Sequence, residues 1–149
     1  MKRIVFAIAA AAALASCTVA TSTGQPEAPA ATDRAALVER GRYLTESIGL
    51  CGDCHTQRLP TGMLDMTRHL YGATLPFKNI NPQPWAATTP ALAGLPAGYT
   101  EAQLASFLQD GKRPDGSAPL PPMPEYRLSQ SDAEAMAAYI ASLPKPPAP

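Results

Sequence analysis

Two cysteines three positions apart, with a histidine directly after the second, make Cys51-Gly52-Asp53-Cys54-His55 the stretch of this chain best equipped for chemistry. In a C-x-x-C-H arrangement both thiols reach the vinyl groups of one porphyrin and the imidazole is held against its iron, which is how a c-type haem is attached. His55 then becomes the proximal ligand. Two other chemistries compete for a CxxC pair. A zinc site needs two more soft ligands, and outside the motif the chain offers only Cys17 and His69. A thioredoxin-like dithiol should follow a buried strand in a βαβ pattern, whereas the residues before Cys51 have helical periodicity. The spacing predicts one covalent haem c, bonded through Cys51 and Cys54 and ligated by His55.

The elements that position such a group are helices. In residues 33–49, Leu37, Leu44 and Ile48 fall on one side with the small Gly41, close to the 3.6-residue period of an amphipathic helix. Asp33 is its expected N-cap and Gly49 its stop. A second helix is predicted over 101–110: Thr100 and Gln103 have the spacing of a capping box, Leu104, Phe107 and Leu108 face inward, and Gly111 ends it. A third is predicted over 132–143, with Ser131 and Glu134 as the box, Met136, Ile140 and Leu143 as the stripe, and Pro144 as the break. Residues 63–70 add a short helix. No alternating β pattern or internal repeat is visible, so the expected class is all-α, with three to four helices.

The connecting segments are long and Pro-rich, and a compact domain rarely carries such loops unless they bind something. With aromatic residues at only 6%, the chain lacks the bulk for a large core of its own. A planar apolar haem supplies that core, and the loops wrap its faces.

The 149 residues leave room for one domain, predicted over 33–149 and preceded by two segments of different character. Residues 1–16 begin with Lys2 and Arg3 and continue as an apolar run over 4–14, the layout of a secretory signal. That run is too short for a bilayer, which takes about 20 residues. Leu14-Ala15-Ser16-Cys17 resembles a bacterial lipobox, which implies cleavage before Cys17 and a lipid on its thiol; ordinary cleavage, for instance after Ala20, is the alternative. A cysteine without a partner in an exported chain favours the lipid, and two or more acyl chains give a stable anchor. Thr18 rather than Asp after the cysteine points, by analogy, to the outer membrane. Residues 18–32 contain a single charged residue before Thr32, Glu27, and complete a flexible tether over 17–32. Lys2 and Arg3 belong to the leader, so ten Lys and Arg face twelve Asp and Glu from Cys17 onward, a net of −2. With no basic run or aromatic platform, nothing points to nucleic acid.

A helix, C-x-x-C-H, a Pro-flanked Met and a last helix, in that order over about 33–143, resemble the class I cytochromes c. The likeness is closer to the cytochrome c domains of bacterial membrane-bound dehydrogenases. It is carried by Arg40-Gly41-Arg42-Tyr43-Leu44, Asn79-Ile80-Asn81-Pro82, Asp110-Gly111-Lys112-Arg113-Pro114-Asp115-Gly116 and Leu120-Pro121-Pro122-Met123-Pro124. The resemblance implies first and last helices that cross, with Gly41 near Tyr139, around a low-spin haem between His and Met. Two features depart from these relatives: Met63 to Gly72 stands where a glycine-rich stretch is expected, and the segment before Asn79 is short.

Met123 is the best sixth ligand, because the fixed φ angles of its flanking prolines stiffen the loop that would hold its sulfur at the iron. Met136 lies on a helical stripe and is expected in the core; Met63 and Met66 follow the motif too closely. His69 would give bis-His ligation, but a lone His of this kind is more often a loop residue. Thioether ligation raises the potential and closes the site to substrates. The carbonyl accepting the His55 Nδ1–H is expected at Pro60 or Pro76, and Trp85, Tyr99, Arg58, Lys112 and Arg113 are candidates for the haem propionates. The expected function is a one-electron carrier between a redox-protein donor and acceptor, tethered on the periplasmic side of a bacterial membrane and without enzymatic activity of its own. The alternatives are the cytochrome subunit of a periplasmic dehydrogenase and a haem-based ligand sensor.

Overall fold

The computed structural model describes residues 31–147. The leader, Cys17 and most of the tether lie outside them. α1 covers Ala31–Tyr43 and runs directly into a wider π-helical turn, Leu44–Ile48, closed by the Gly49 N–H donating to the Leu44 carbonyl at 2.7 Å. Asp33 is therefore not an N-cap: it sits in the first turn, where a carboxylate meets the positive end of the helix dipole. α2 is the short attachment helix Cys51–His55. The helix expected over 63–70 is only a 3₁₀ turn, Met66–Arg68, with Asp65 accepting the Thr67 N–H at its start. A two-residue antiparallel ladder pairs β1 (Ala73–Thr74) with β2 (Thr88–Thr89).

α3 spans Glu101–Asp110 and has both halves of the capping box: Gln103 N–H donates to Thr100 Oγ1 at 3.2 Å, and Thr100 N–H to Gln103 Oε1 at 2.9 Å. Gly111, at φ 73°, closes it in the left-handed conformation that glycine adopts without strain. α4 covers Gln130–Ser142. Its cap is Ser129, which accepts from Asp132 N–H, not Ser131; both serines precede the apolar stripe, and the earlier one captures the free N–H.

α4 is the centre of the fold. Ala133, Ala135, Ala137 and Ala138 are fully buried together with Met136 and Ile140, and these small residues let α1 and α3 pack close on either side. At the α1 crossing, a Cβ on Gly41 would run into the Ala135 carbonyl and lie 2.8 Å from Tyr139 Cβ. Arg40 pairs with Asp132 across the same crossing at 3.0 Å. Leu44, Leu70, Leu104 and Leu108 complete the core.

Candidate haem site

The chain enters α2 through Leu50, whose φ of 49° is uncommon for a residue with a side chain. It breaks the backbone between the π turn and the attachment motif. Three hydrogen bonds then tie the helix to its surroundings: Gly72 N–H donates to the His55 carbonyl at 2.8 Å, Thr89 Oγ1 to the Cys54 carbonyl at 2.8 Å, and His55 Nδ1–H to the Pro90 carbonyl at 2.9 Å. The small ladder exists to bring Thr89 and Pro90 to this place. Gly72 makes the approach possible, since its φ is 86° and a Cβ there would lie 2.8 Å from the Thr89 carbonyl oxygen. The partner of His55 is thus neither Pro60 nor Pro76 but Pro90.

That bond decides the state of the imidazole. A carbonyl only accepts, so Nδ1 carries the hydrogen and Nε2 keeps its lone pair, the form that ligates a metal. Burial pushes the His55 proton affinity down, and the bond to Pro90 opposes that shift in part. Cys51 and Cys54 are not joined in a disulfide, and burial raises the Cys51 thiol to about 11.

His55 and both cysteines line one cavity of about 540 Å³, within the usual range for sites of organic ligands. Leu104, Phe107 and Leu108 of α3 and Met136 and Ile140 of α4 form apolar walls, and the loop over 119–124 contributes Leu120, Pro122 and Met123. Met123 is half-buried; Met63 and Met66 are largely exposed and take no part in the lining. Met136 is both core and wall. His69 lies outside the cavity, with its two ring nitrogens facing Glu46 and Thr56.

Of the five polar candidates for propionates, Tyr99 and Arg113 reach the cavity. Trp85 packs edge-on against Phe77, and its Nε1–H is buried without an acceptor, beside the cavity-lining Ala86. Arg58 is exposed and donates to the Gly62 carbonyl, and Lys112 is exposed. Sequence reasoning missed Thr89, Pro90 and Tyr126. Tyr126 donates to the Gly49 carbonyl at 2.9 Å and lines the cavity, and burial raises its phenol to about 12. None has a local signal: Pro90 acts through its backbone, and Tyr126 is 77 positions from its partner.

A flat apolar macrocycle suits this space better than a bare ion. Among the described residues no group of three or more His, Cys, Asp and Glu side chains is placed to hold a metal ion, whereas a ring that brings most of its own ligands would need only His55 and one further donor such as Met123 from the protein. The orphaned Trp85 N–H is the kind of donor a carboxylate-bearing group would satisfy. Fold and cavity together define a haem-binding domain.

The chain belongs to the cytochrome c family, which it matches over residues 38–144, and its helices have the all-α arrangement of class I. It is also 32% identical over 117 residues to the "Diheme cytochrome c-type" protein of Cereibacter sphaeroides, a match covering 75% of this chain and 37% of that relative. The chain therefore corresponds to little more than a third of the longer protein. Family membership implies covalently bound haem c and electron transfer.

Proposed function

We propose that this chain is a monohaem electron carrier in which Cys51 and Cys54 bond the haem and His55 and Met123 ligate its iron. When bound, the haem supplies a reversible one-electron ferric/ferrous couple. The observation that carries the proposal is the meeting in one cavity of both cysteines, Met123 and a His55 whose Nδ1–H is tied to Pro90. The residues around it bind and orient the group, with apolar walls from α3 and α4 and from the loop over 119–124. The chain's only C-x-x-C-H supports a single haem, in contrast to the two named for the relative. A pyridine haemochrome assay tests this directly. One c-type haem per chain is expected, with a sulfur-to-iron charge-transfer band in the ferric protein; two haems per chain, or none, would refute it.

The setting we propose is the periplasmic side of a bacterial membrane, with Cys17 carrying the lipid and redox proteins as donor and acceptor. Support for the tether lies in the sequence of residues 1–32. No helix among the described residues is long and apolar enough to cross a membrane. A second reading, the cytochrome subunit of a periplasmic dehydrogenase, draws on the match to part of a longer multihaem relative. Co-purification with a substrate-oxidising subunit separates it from a free carrier.

A further inference from the structure

We propose that two neighbouring hairpins, residues 57–65 and 73–89, seat this domain on the surface of an anionic phospholipid bilayer, with Leu59, Met63, Phe77 and Ile80 entering the interface. The contact draws on the membrane setting proposed above and not on the haem.

The first hairpin follows the attachment helix. Its arms are joined by Asp65 N–H donating to the Gln57 carbonyl and Leu59 N–H to the Met63 carbonyl, both at 2.8 Å, around an antiparallel bridge between Arg58 and Leu64. The second consists of β1 and β2, extended by Leu75 N–H donating to the Ala87 carbonyl at 2.9 Å. Between the hairpins, Thr56 bridges Gly72 in parallel and Thr74 N–H donates to Gln57 Oε1 at 3.0 Å. Neighbouring arms that run parallel send both tips beyond the same end of the pair.

That end is apolar. Leu59 and Phe77 are nearly half exposed, Met63 is 72% exposed and Ile80 97%. A single apolar side chain in water is ordinary, but four on adjoining tips, none of them lining the haem cavity, form a patch that neither core nor cofactor accounts for. The tips are braced in this arrangement. Arg58 donates to the Gly62 carbonyl at 2.8 Å, while the Asn79 side chain accepts the Asn81 N–H at 2.9 Å and donates to the Gln83 carbonyl at 3.1 Å, which turns the chain at Ile80.

Charge and shape select the occupant. Residues 57–64 and 75–85 contain Arg58 and Lys78 and no carboxylate, and neither cation belongs to an ion pair among the described residues. Asp65, at the base of the first hairpin, is engaged by the Thr67 N–H and hydroxyl. Apolar side chains beside cations match an interface in which the acyl region takes the former and anionic headgroups the latter. Trp85, edge-on against Phe77, adds the kind of ring enriched at headgroup depth. The four side chains stand on projecting turns, so they suit a fluid surface that parts around them better than a protein face that must match them in shape. Reach is sufficient. The thirteen residues 18–30 between Cys17 and α1 span at most about 45 Å, against about 20 Å for α1 itself.

The test measures amide hydrogen exchange of the full-length holoprotein, free and mixed with vesicles of phosphatidylethanolamine and phosphatidylglycerol. Exchange over 57–65 and 75–85 should slow severalfold on the vesicles while α3 keeps its free rate. Vesicles of phosphatidylcholine alone should give a smaller effect, and high salt should weaken it. Met63→Ser combined with Ile80→Ser, both at exposed positions, should remove the slowing and leave thermal unfolding as in wild type. Protein that does not sediment with the vesicles, or sediments with unchanged exchange at both tips, would overturn the contact, as would slowing retained in the double variant. Slowing that grows with protein concentration in the absence of lipid would overturn it too, assigning the tips to a second copy of the chain. Mass spectrometry of the same sample reads the lipid on Cys17, so a failed tether and a failed contact are told apart.

Discussion

Met123 enters the cavity on a loop whose backbone is already committed elsewhere: Pro121 accepts the Ala86 N–H at 2.8 Å, and Met123 N–H donates to Leu120. The sulfur is thus carried by a turn tied to the Ala86 backbone, the restraint that a thioether ligand would need. Met123→Ala should open the sixth position, lower the reduction potential as thioether ligation is lost, and abolish the ferric charge-transfer band. An unchanged band would transfer ligation to another methionine, with Met136 the one already in the cavity wall. Tyr126 acts differently, as a strap from the distal side to Gly49 beside the attachment motif. Tyr126→Phe should cost about 1 kcal/mol in thermal or denaturant unfolding and leave the charge-transfer band in place; a neutral effect would show that the bond to Gly49 is replaced by water. At this scale the C-x-x-C-H triplet was legible because its meaning lies in adjacent residues. The Pro90 carbonyl was not, because a backbone acceptor 35 positions from its donor leaves no mark in side-chain pattern.

Among the elements, α3 matches its sequence limits at both ends, since Thr100, Gln103 and Gly111 encode its caps within one turn. α4 starts two residues early because Ser129 and Ser131 offer the same hydroxyl, and only the backbone decides between them. The π turn after α1 had no sequence signal, since its wider spacing still keeps Leu44 inside. It matters nonetheless, because it carries Glu46 to both Tyr139 and His69. The crossing of α1 and α4 depends most sharply on one residue. Gly41→Leu places a side chain where the Ala135 carbonyl and Tyr139 stand, and overpacking of this kind typically costs about 1–3 kcal/mol. Denaturant unfolding of the holoprotein should show the loss, while the haem spectrum of the folded fraction should stay c-type. A wild-type midpoint would mean that α1 leaves the crossing without penalty.

For the whole molecule, the tether and the cofactor make separate predictions. If Cys17 carries lipid, the full-length protein should sediment with membranes and resist release by high salt, because acyl insertion is hydrophobic and unscreened; Cys17→Ser should release it. Mass spectrometry showing an unmodified mature chain that begins at Thr21 would replace the lipoprotein by a soluble periplasmic protein.

The cofactor bears on the fold itself. The walls of the 540 Å³ cavity include Leu104, Leu108, Met136 and Ile140, which are also core residues, so site and core share the same side chains. An apolar group filling this cleft removes its apolar walls from contact with water, which stabilises the fold. Domains of this size are stable by about 5–15 kcal/mol in total. A haem-free chain is therefore expected to have a reduced margin, although α3 and α4 retain their caps. Cys51→Ala combined with Cys54→Ala should give a chain without covalent haem, weakly helical by circular dichroism and without a cooperative thermal transition. A compact, helical, cooperatively melting double variant would show instead that the alanine-rich contact between α1 and α4 is sufficient to hold the fold, with the haem a guest in a finished structure.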